Sequence, residues 1–258
     1  MPQYPVPDRL HINPVQHCAT IAVTQDVITG ASWPQFAQPD QALRNGTLTF
    51  VKANDRTYAI TCQHVIEHYR KVVAASADTA SHSMRTMLNG FHIVQDRFIQ
   101  PTAQFGDTAP DIAIREINPD HVAHIGKVPI DLDALSGAPP DIRHAYAVGF
   151  PEQLKYHKHD DKPGYRVSMP NVVIVAELPA VPTRRFAMFS ELDTPPHDID
   201  YSGMSGGPIF WTTNDTYGLL GIIYEGGPGQ QADTIYVYGE LATPELVRSW
   251  IGQCPPNR

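Results

Sequence analysis

The sequence predicts an all-β chain closed by one helix, on three observations. Short β-type runs recur, and a turn signal ends each one. Proline and glycine are abundant, 24 and 18 among 258 residues, which favours turns over long helices. One segment alone carries a full set of helix start and stop signals. Many short strands at this spacing form an antiparallel barrel or sandwich. Hydrophobic residues make up 42% of the chain, enough for a packed core.

The elements follow in order. "GTLTFVKANDRTYAITC" reads as a hairpin, with runs at 47–52 and 57–62 and turn residues Ala53 to Arg56 between them. A short helix, "VIEHYRKVV", follows His64. Further β-like runs lie at 91–99, 111–117, 144–150, 165–169, 171–177, 185–190 and 234–239. Residues 118–143 show weak periodicity and several turn formers, so they read as a connection between two halves. "GPIFWTTNDTYGLLGIIY" is a second hairpin, turning at Asn214-Asp215. The helix is "ATPELVRSWIG": Thr243 caps it, Pro244 opens it, Glu245 sits in its first turn and Gly252 lies past its end.

Composition removes several function classes. Net charge is −8 and no Lys/Arg block stands out, so neither nucleic acid nor an anionic membrane is an expected partner. No apolar run approaches the length that spans a bilayer. The first residues, "MPQYPVPDRLHINPVQHC", lack a basic start followed by an apolar stretch, so no signal peptide is expected. The three cysteines, Cys18, Cys62 and Cys254, have no paired spacing, which fits a reducing, cytoplasmic compartment.

The stretch "YSGMSGGPIF" carries the chemistry. Ser205 stands among Gly203, Gly206 and Gly207 and just before Pro208. It is either a turn serine or a nucleophile around which glycines let the backbone bend tightly. "GMSGG" fits the nucleophile elbow of α/β-hydrolases, but that fold places its histidine after the serine, and no histidine follows Ser205. The order His, Asp, Ser remains. His64 follows a β-like run directly, a rigid mounting for a general base. Asp111 opens the alternating run "DIAIREI", which buries a carboxylate suited to orienting that base. Asp107 is a competing candidate for the acid.

Together "ITCQHVI", "DIAI" and "GMSGGPIF" resemble the histidine, aspartate and serine motifs of the trypsin/chymotrypsin-like serine peptidases. "AYAVGFP" (145–151) resembles the strand that opens the second barrel, and "GIIYEGG" (221–227) the strand that pairs with substrate. The resemblance covers roughly residues 40 to 252 and implies two antiparallel β-barrels with a C-terminal helix. It divides the chain into an N-terminal extension (1–40), a first barrel (41–125), a linker (126–143) and a second barrel with the helix (144–258). It implies a serine endopeptidase with His64, Asp111 and Ser205 as triad and the Gly203 and Ser205 amides as oxyanion hole. It implies a protein or peptide substrate and no cofactor. The segment holding Ile199 and Asp200 would floor the specificity pocket, and the strand with Tyr224, Glu225 and Gly226 would line substrate. Asp200 and Glu225 argue for Lys or Arg in the substrate, whereas Ile199 argues for a medium apolar residue.

Two departures make the resemblance one to a bacterial-type, intracellular branch of that family. The cysteines do not reproduce the disulfides of secreted members, and Met204 stands where those members carry an acid that captures a cut N-terminus. The loop is therefore either ordered as made or biased by substrate or by an activating protein partner. Two rival readings stand beside this one. "HVIEH" (64–68) matches an inverted zinc motif, with His64 and His68 as ligands and Glu67 as base, but His64 follows a strand and is expected to precede the helix. "HKHDD" (157–161) reads as a solvated loop. The fold could also persist as a silent peptide- or protein-binding module.

Overall fold

A computed structural model describes residues 13–27, 35–36, 45–75, 82–88, 90–94, 96–102, 108–135, 137–154, 156–158, 166–178, 181–191, 201–213, 216–228 and 234–255. The first half holds β1 (Cys18–Val27), β2 (Gln35–Phe36), β3 (Asn45–Ala53), β4 (Arg56–Thr61), helix α1 (Gln63–Ala75), β5 (His82–Leu88), β6 (Gly90–Val94) and β7 (Ala113–Ile117). Helix α2 (Pro119–His124) and β8 (Ile130–Asp131) follow. The second half holds β9 (His144–Gly149), β10 (Tyr156–Lys158), β11 (Arg166–Ser168), β12 (Val172–Glu177), β13 (Arg185–Glu191), β14 (Pro208–Thr212), β15 (Tyr217–Pro228), β16 (Thr234–Leu241) and helix α3 (Pro244–Ile251).

The fold is mostly β, as the sequence predicts. The second half closes into a six-stranded barrel in the order β12-β13-β16-β15-β14-β9. The first half is an eight-stranded sheet along β6-β5-β1-β3-β4-β7, with β2 on β1 and β8 on β3, and its path stays open among the described residues. The β3–β4 hairpin turns on Asn54 and Asp55 at φ of 49° and 59°. Two successive positive φ values match the right-handed twist of the flanking strands, and Asn and Asp tolerate them.

Two assignments change. Strand β1 lies inside the segment read as an N-terminal extension, yet it pairs with β3 on one side and β5 on the other. Buried from Cys18 to Ala22 without interruption, it lacks the alternation that marks a half-exposed strand. The segment read as a linker carries β8, which pairs parallel with β3.

Three large buried clusters, with a small one of Cys18, Val148 and Phe150, build the core among the described residues. One fills the closed barrel, with Ile174, Met188, Leu220 and Val237. One lies under the first sheet, with Ile21, Leu48, Phe50 and Ile66. The third joins the halves: Tyr58, Ile60 and Ile114 meet Phe210, Leu219, Ile222 and, from α3, Val247 and Trp250. Helix α3 starts as expected, Thr243 accepting the Leu246 amide through its side chain with Pro244 in the first turn. It thereby delivers Val247 and Trp250, three residues apart on one face, to the seam between halves.

Candidate active site

His64 and Asp111 come from the same end of the antiparallel β4–β7 pair, where Thr61 at the end of β4 faces Ala113 at the start of β7. The helix after β4 starts one residue before His64, not after it. The Val65 amide already bonds the Cys62 carbonyl, so the first turn of α1 forms on the strand end itself. His64 is thus the second helical residue, which corrects the expectation that it precedes the helix. Its ring Nδ1 lies 2.7 Å from Asp111 Oδ2, and its backbone N–H donates to Asp111 Oδ1 at 3.0 Å. Both carboxylate oxygens therefore hold one residue, by ring and by main chain. Burial, the largest single effect, disfavours the charged Asp111; the His64 ring bond, the ring's charge, its backbone N–H and Arg185 outweigh it and hold the carboxyl below its ordinary range. Asp107, the competing acid, lies outside the described residues.

The zinc reading would use His64 Nε2 and His68, four residues apart on α1, and Asp111 on Nδ1 is compatible with it. Glu67, the base in that reading, accepts from Gln63 Nε2 at 3.3 Å. Cys62 Sγ, a His64 ring nitrogen and an Asp111 oxygen do cluster within 4.8 Å of one another. The Cys62 thiol is fully buried, donates to the Ile223 carbonyl at 3.0 Å, and burial pushes its pKa well up, so thiolate ligation is disfavoured. The side chains of the 157–161 cluster lie outside the described residues.

Ser205 sits on the loop between Tyr201 and Pro208, across a cleft of about 170 Å³ that His64, His68, Asn45, Glu152, Ser202 and Gly203 also line. Its hydroxyl donates to the Tyr224 carbonyl at 3.1 Å. Two glycines shape the loop. Gly203 has φ 95° and Gly206 φ 94°, where a side chain is strained. A Cβ on Gly206 would also stand 2.0 Å from the Thr47 carbonyl oxygen.

The peptide groups of this loop are aimed by their carbonyls. Ser202 C=O accepts from the Glu152 amide at 2.6 Å, and Met204 C=O from the Gly207 amide at 2.9 Å. In a trans peptide the N–H points opposite its C=O, so the Gly203 and Ser205 amides face the other way. Among the described residues neither amide has an acceptor, and both residues line the cleft. Met204 is 1% exposed and packs against the Gly149 backbone, where a Cβ would lie 2.8 Å from Met204 Cα.

Tyr224, Glu225 and Gly226 lie on β15 beside β16, at a bulge between Ile223 and Glu225. Glu225 is exposed, and Arg185 stacks over the Tyr224 ring at 4.9 Å. Ile199 and Asp200 lie outside the described residues. The residues that sequence reasoning missed are Asn45, Thr47 and Thr49 of β3 and Cys62. All contact the serine loop, its β15 neighbour or the adjacent β9 end, as described below. Their signal was threonine at every second position of an otherwise apolar strand, "GTLTF".

No family model and no curated protein matches the chain. Among solved structures, the protease Anisep from Arthrobacter nicotinovorans superposes with a TM-score of 0.46 at 15% identity, covering 92% of this chain and 97% of its own. A thermostable serine protease, AL20, from an extremophilic microorganism gives a TM-score of 0.47 at 10% identity over 91% of this chain and 95% of its own. Likenesses of this size carry no weight for the site's chemistry, which stands on the geometry above. No helix among the described residues is long and apolar enough to cross a membrane.

Proposed function

We propose that the protein is a trypsin-like serine endopeptidase acting through Ser205, His64 and Asp111. The observation that carries this reading is the double grip of Asp111 on His64, at 2.7 Å to the ring and 3.0 Å to the backbone, on the cleft that also holds Ser205. The grip leaves the proton on Nδ1 and the lone pair on Nε2, the tautomer a general base needs.

The steps follow from that arrangement. A peptide carbonyl enters the cleft and Ser205 turns its hydroxyl from the Tyr224 carbonyl toward His64 Nε2. Oγ bonds to the carbonyl carbon as His64 takes its proton. The negative charge that develops on the carbonyl oxygen meets the Gly203 and Ser205 amides, each worth about 3 kcal/mol when preorganised. The imidazolium, steadied by ionised Asp111, returns the proton to the leaving amine as the C–N bond breaks. Water then repeats the sequence on the acyl-enzyme and frees Ser205. The chemistry draws on no cofactor. Strand β15 offers Tyr224 to Gly226 as a partner for the substrate main chain, in the manner of an added strand.

The test is a peptide-library digest by wild type, Ser205→Ala and His64→Ala, with and without a chelator. Cleavage that both substitutions abolish and the chelator leaves intact is the expected result. Zinc-dependent cleavage would shift the assignment to the HVIEH motif. Absence of any cleavage, with peptides still bound, would make the protein a binding module. A digest without preference for Lys or Arg would remove the preference for basic residues assigned to Asp200 and Glu225.

A further inference from the structure

Secreted relatives of the resembled family order the serine loop with an acid at the position of Met204, and Met204 forms no ion pair. Strand β3, from the other half of the molecule, holds three carbonyls of this loop. Thr47 Oγ1 donates to the Gly203 carbonyl at 2.9 Å, the Thr47 amide donates to the Ser205 carbonyl at 2.8 Å, and Thr49 Oγ1 donates to the Gly206 carbonyl at 2.7 Å. Thr47 and Thr49 are both 0% exposed. The Thr47 hydroxyl also accepts the Phe150 amide at 3.3 Å, which fixes the direction of its single proton toward Gly203. Thr61 Oγ1 in turn donates to the Thr47 carbonyl at 2.8 Å, locking β3 to β4 at that point.

The Gly203–Met204 peptide lies between the two peptides whose amides face the cleft. Its N–H end is held by the Tyr201 carbonyl at 3.1 Å and its C=O end by Thr47 Oγ1. Gly203 itself resists rotation weakly, because glycine has the freest backbone. Asn45 adds a wall: its Nδ2 donates to the Phe150 carbonyl at 2.8 Å and would stand 2.7 Å from any Cβ on Gly203.

We infer that Thr47 is a positioning residue whose hydroxyl fixes the Gly203–Met204 peptide, and with it the convergence of the oxyanion-binding amides of Gly203 and Ser205 on either side, so that the first half of the fold helps to order the serine loop without an ion pair at position 204. The inference rests on the peptidase reading. Loss of the hydroxyl leaves the buried Gly203 carbonyl without its donor, and the peptide is then released to rotate. That peptide links the two whose amides face the cleft, so its rotation about Gly203 ψ and Met204 φ spoils the convergence of the Gly203 and Ser205 amides, while His64 and Asp111 stay untouched.

The experiment measures labelling of Ser205 by an alkyl fluorophosphonate, whose phosphoryl oxygen occupies the same amide pair, in wild type, Thr47→Val, Thr47→Ser and Ser205→Ala. Removing a full oxyanion donor costs 10²–10³-fold. Loosening one should slow labelling by about 10–100-fold in Thr47→Val, with the pH profile of labelling unmoved because the His64–Asp111 pair is intact. Thr47→Ser restores the hydroxyl and should recover the rate to within about threefold, a rescue that a purely packing role would not give. If Thr47→Val loses its cooperative thermal transition, Thr47→Ala removes the same hydroxyl without a methyl against Gly203 and carries the same expectation. Wild-type labelling in the folded valine or alanine variant overturns the inference alone. So does a serine variant as slow as the valine variant. Failure of wild type to label, or labelling that survives Ser205→Ala, overturns the peptidase reading and this inference with it.

Discussion

Replacing Asp111 by Asn should lower kcat by about 10⁴ without unfolding the protein, and the size follows from which oxygen holds what. Asp111 Oδ1 accepts the His64 backbone N–H at 3.0 Å, and Oδ2 faces the ring Nδ1 at 2.7 Å. An asparagine has one acceptor oxygen, and the backbone N–H cannot reverse its polarity, so that oxygen is committed to it. The amide NH₂ then faces Nδ1 and forces it to be the acceptor. The ring proton moves to Nε2, the atom that must receive the Ser205 proton. The opposite amide orientation would set an N–H against the backbone N–H and is worse. A base in the wrong tautomer costs about 10⁴ in turnover, equivalent to about 5.4 kcal/mol of barrier. The assay is kcat and KM on the best library peptide, with thermal unfolding to establish that the fold persists. Activity within tenfold of wild type would refute the reasoning, and the same loss in Asp107→Asn instead would move the acid to Asp107.

Other expectations are independent of that one. The depressed Asp111 pKa means the ionised carboxylate stabilises the fold above the ordinary carboxylate range, and the benefit fades as pH falls through the folded value; in urea unfolding, wild type should exceed Asp111→Asn at pH 7 and lose that margin progressively as the pH is taken below the ordinary carboxylate range. Gly206→Ala should destabilise by about 2–5 kcal/mol, from a strained φ of 94° and a Cβ pressed on the Thr47 carbonyl oxygen, and a melting point near wild type would contradict this. Met204→Asp should lower both stability and turnover, since it buries a carboxylate at a site 1% exposed; a gain in kcat/KM would mean that a charge there is wanted. The native protein should react slowly with a thiol reagent at pH 7.5, because burial pushes Cys18 to about 12, Cys254 to about 11 and Cys62 well up, whereas all three should react after denaturation.

Much of the candidate site was legible because its motifs are local. Ser205 is marked by its own glycines, which the bend requires, and Asp111 by the buried strand it opens. The helix start at Gln63 was misplaced by two residues because a strand end whose carbonyl caps the next helix leaves no turn signal in between. Strand β1 was missed for a different reason. It is flanked by β3 and β5 and buried through Ala22, so its apolar run does not alternate. Strand β5 carries Arg85 at 1% exposure, a charged residue where the pattern predicts an apolar one. Thr47 was invisible as a site residue because its role depends on a loop 156 residues away that only the folded chain brings beside it.

The central claim is that Ser205 is a nucleophile activated by His64. The most direct measurement is peptide-level mass spectrometry after treatment with an alkyl fluorophosphonate. The account predicts one adduct, on the peptide containing Ser205, formed in wild type and lost in His64→Ala while that variant still melts cooperatively. An adduct elsewhere, or labelling of Ser205 that proceeds at the same rate without His64, would contradict it.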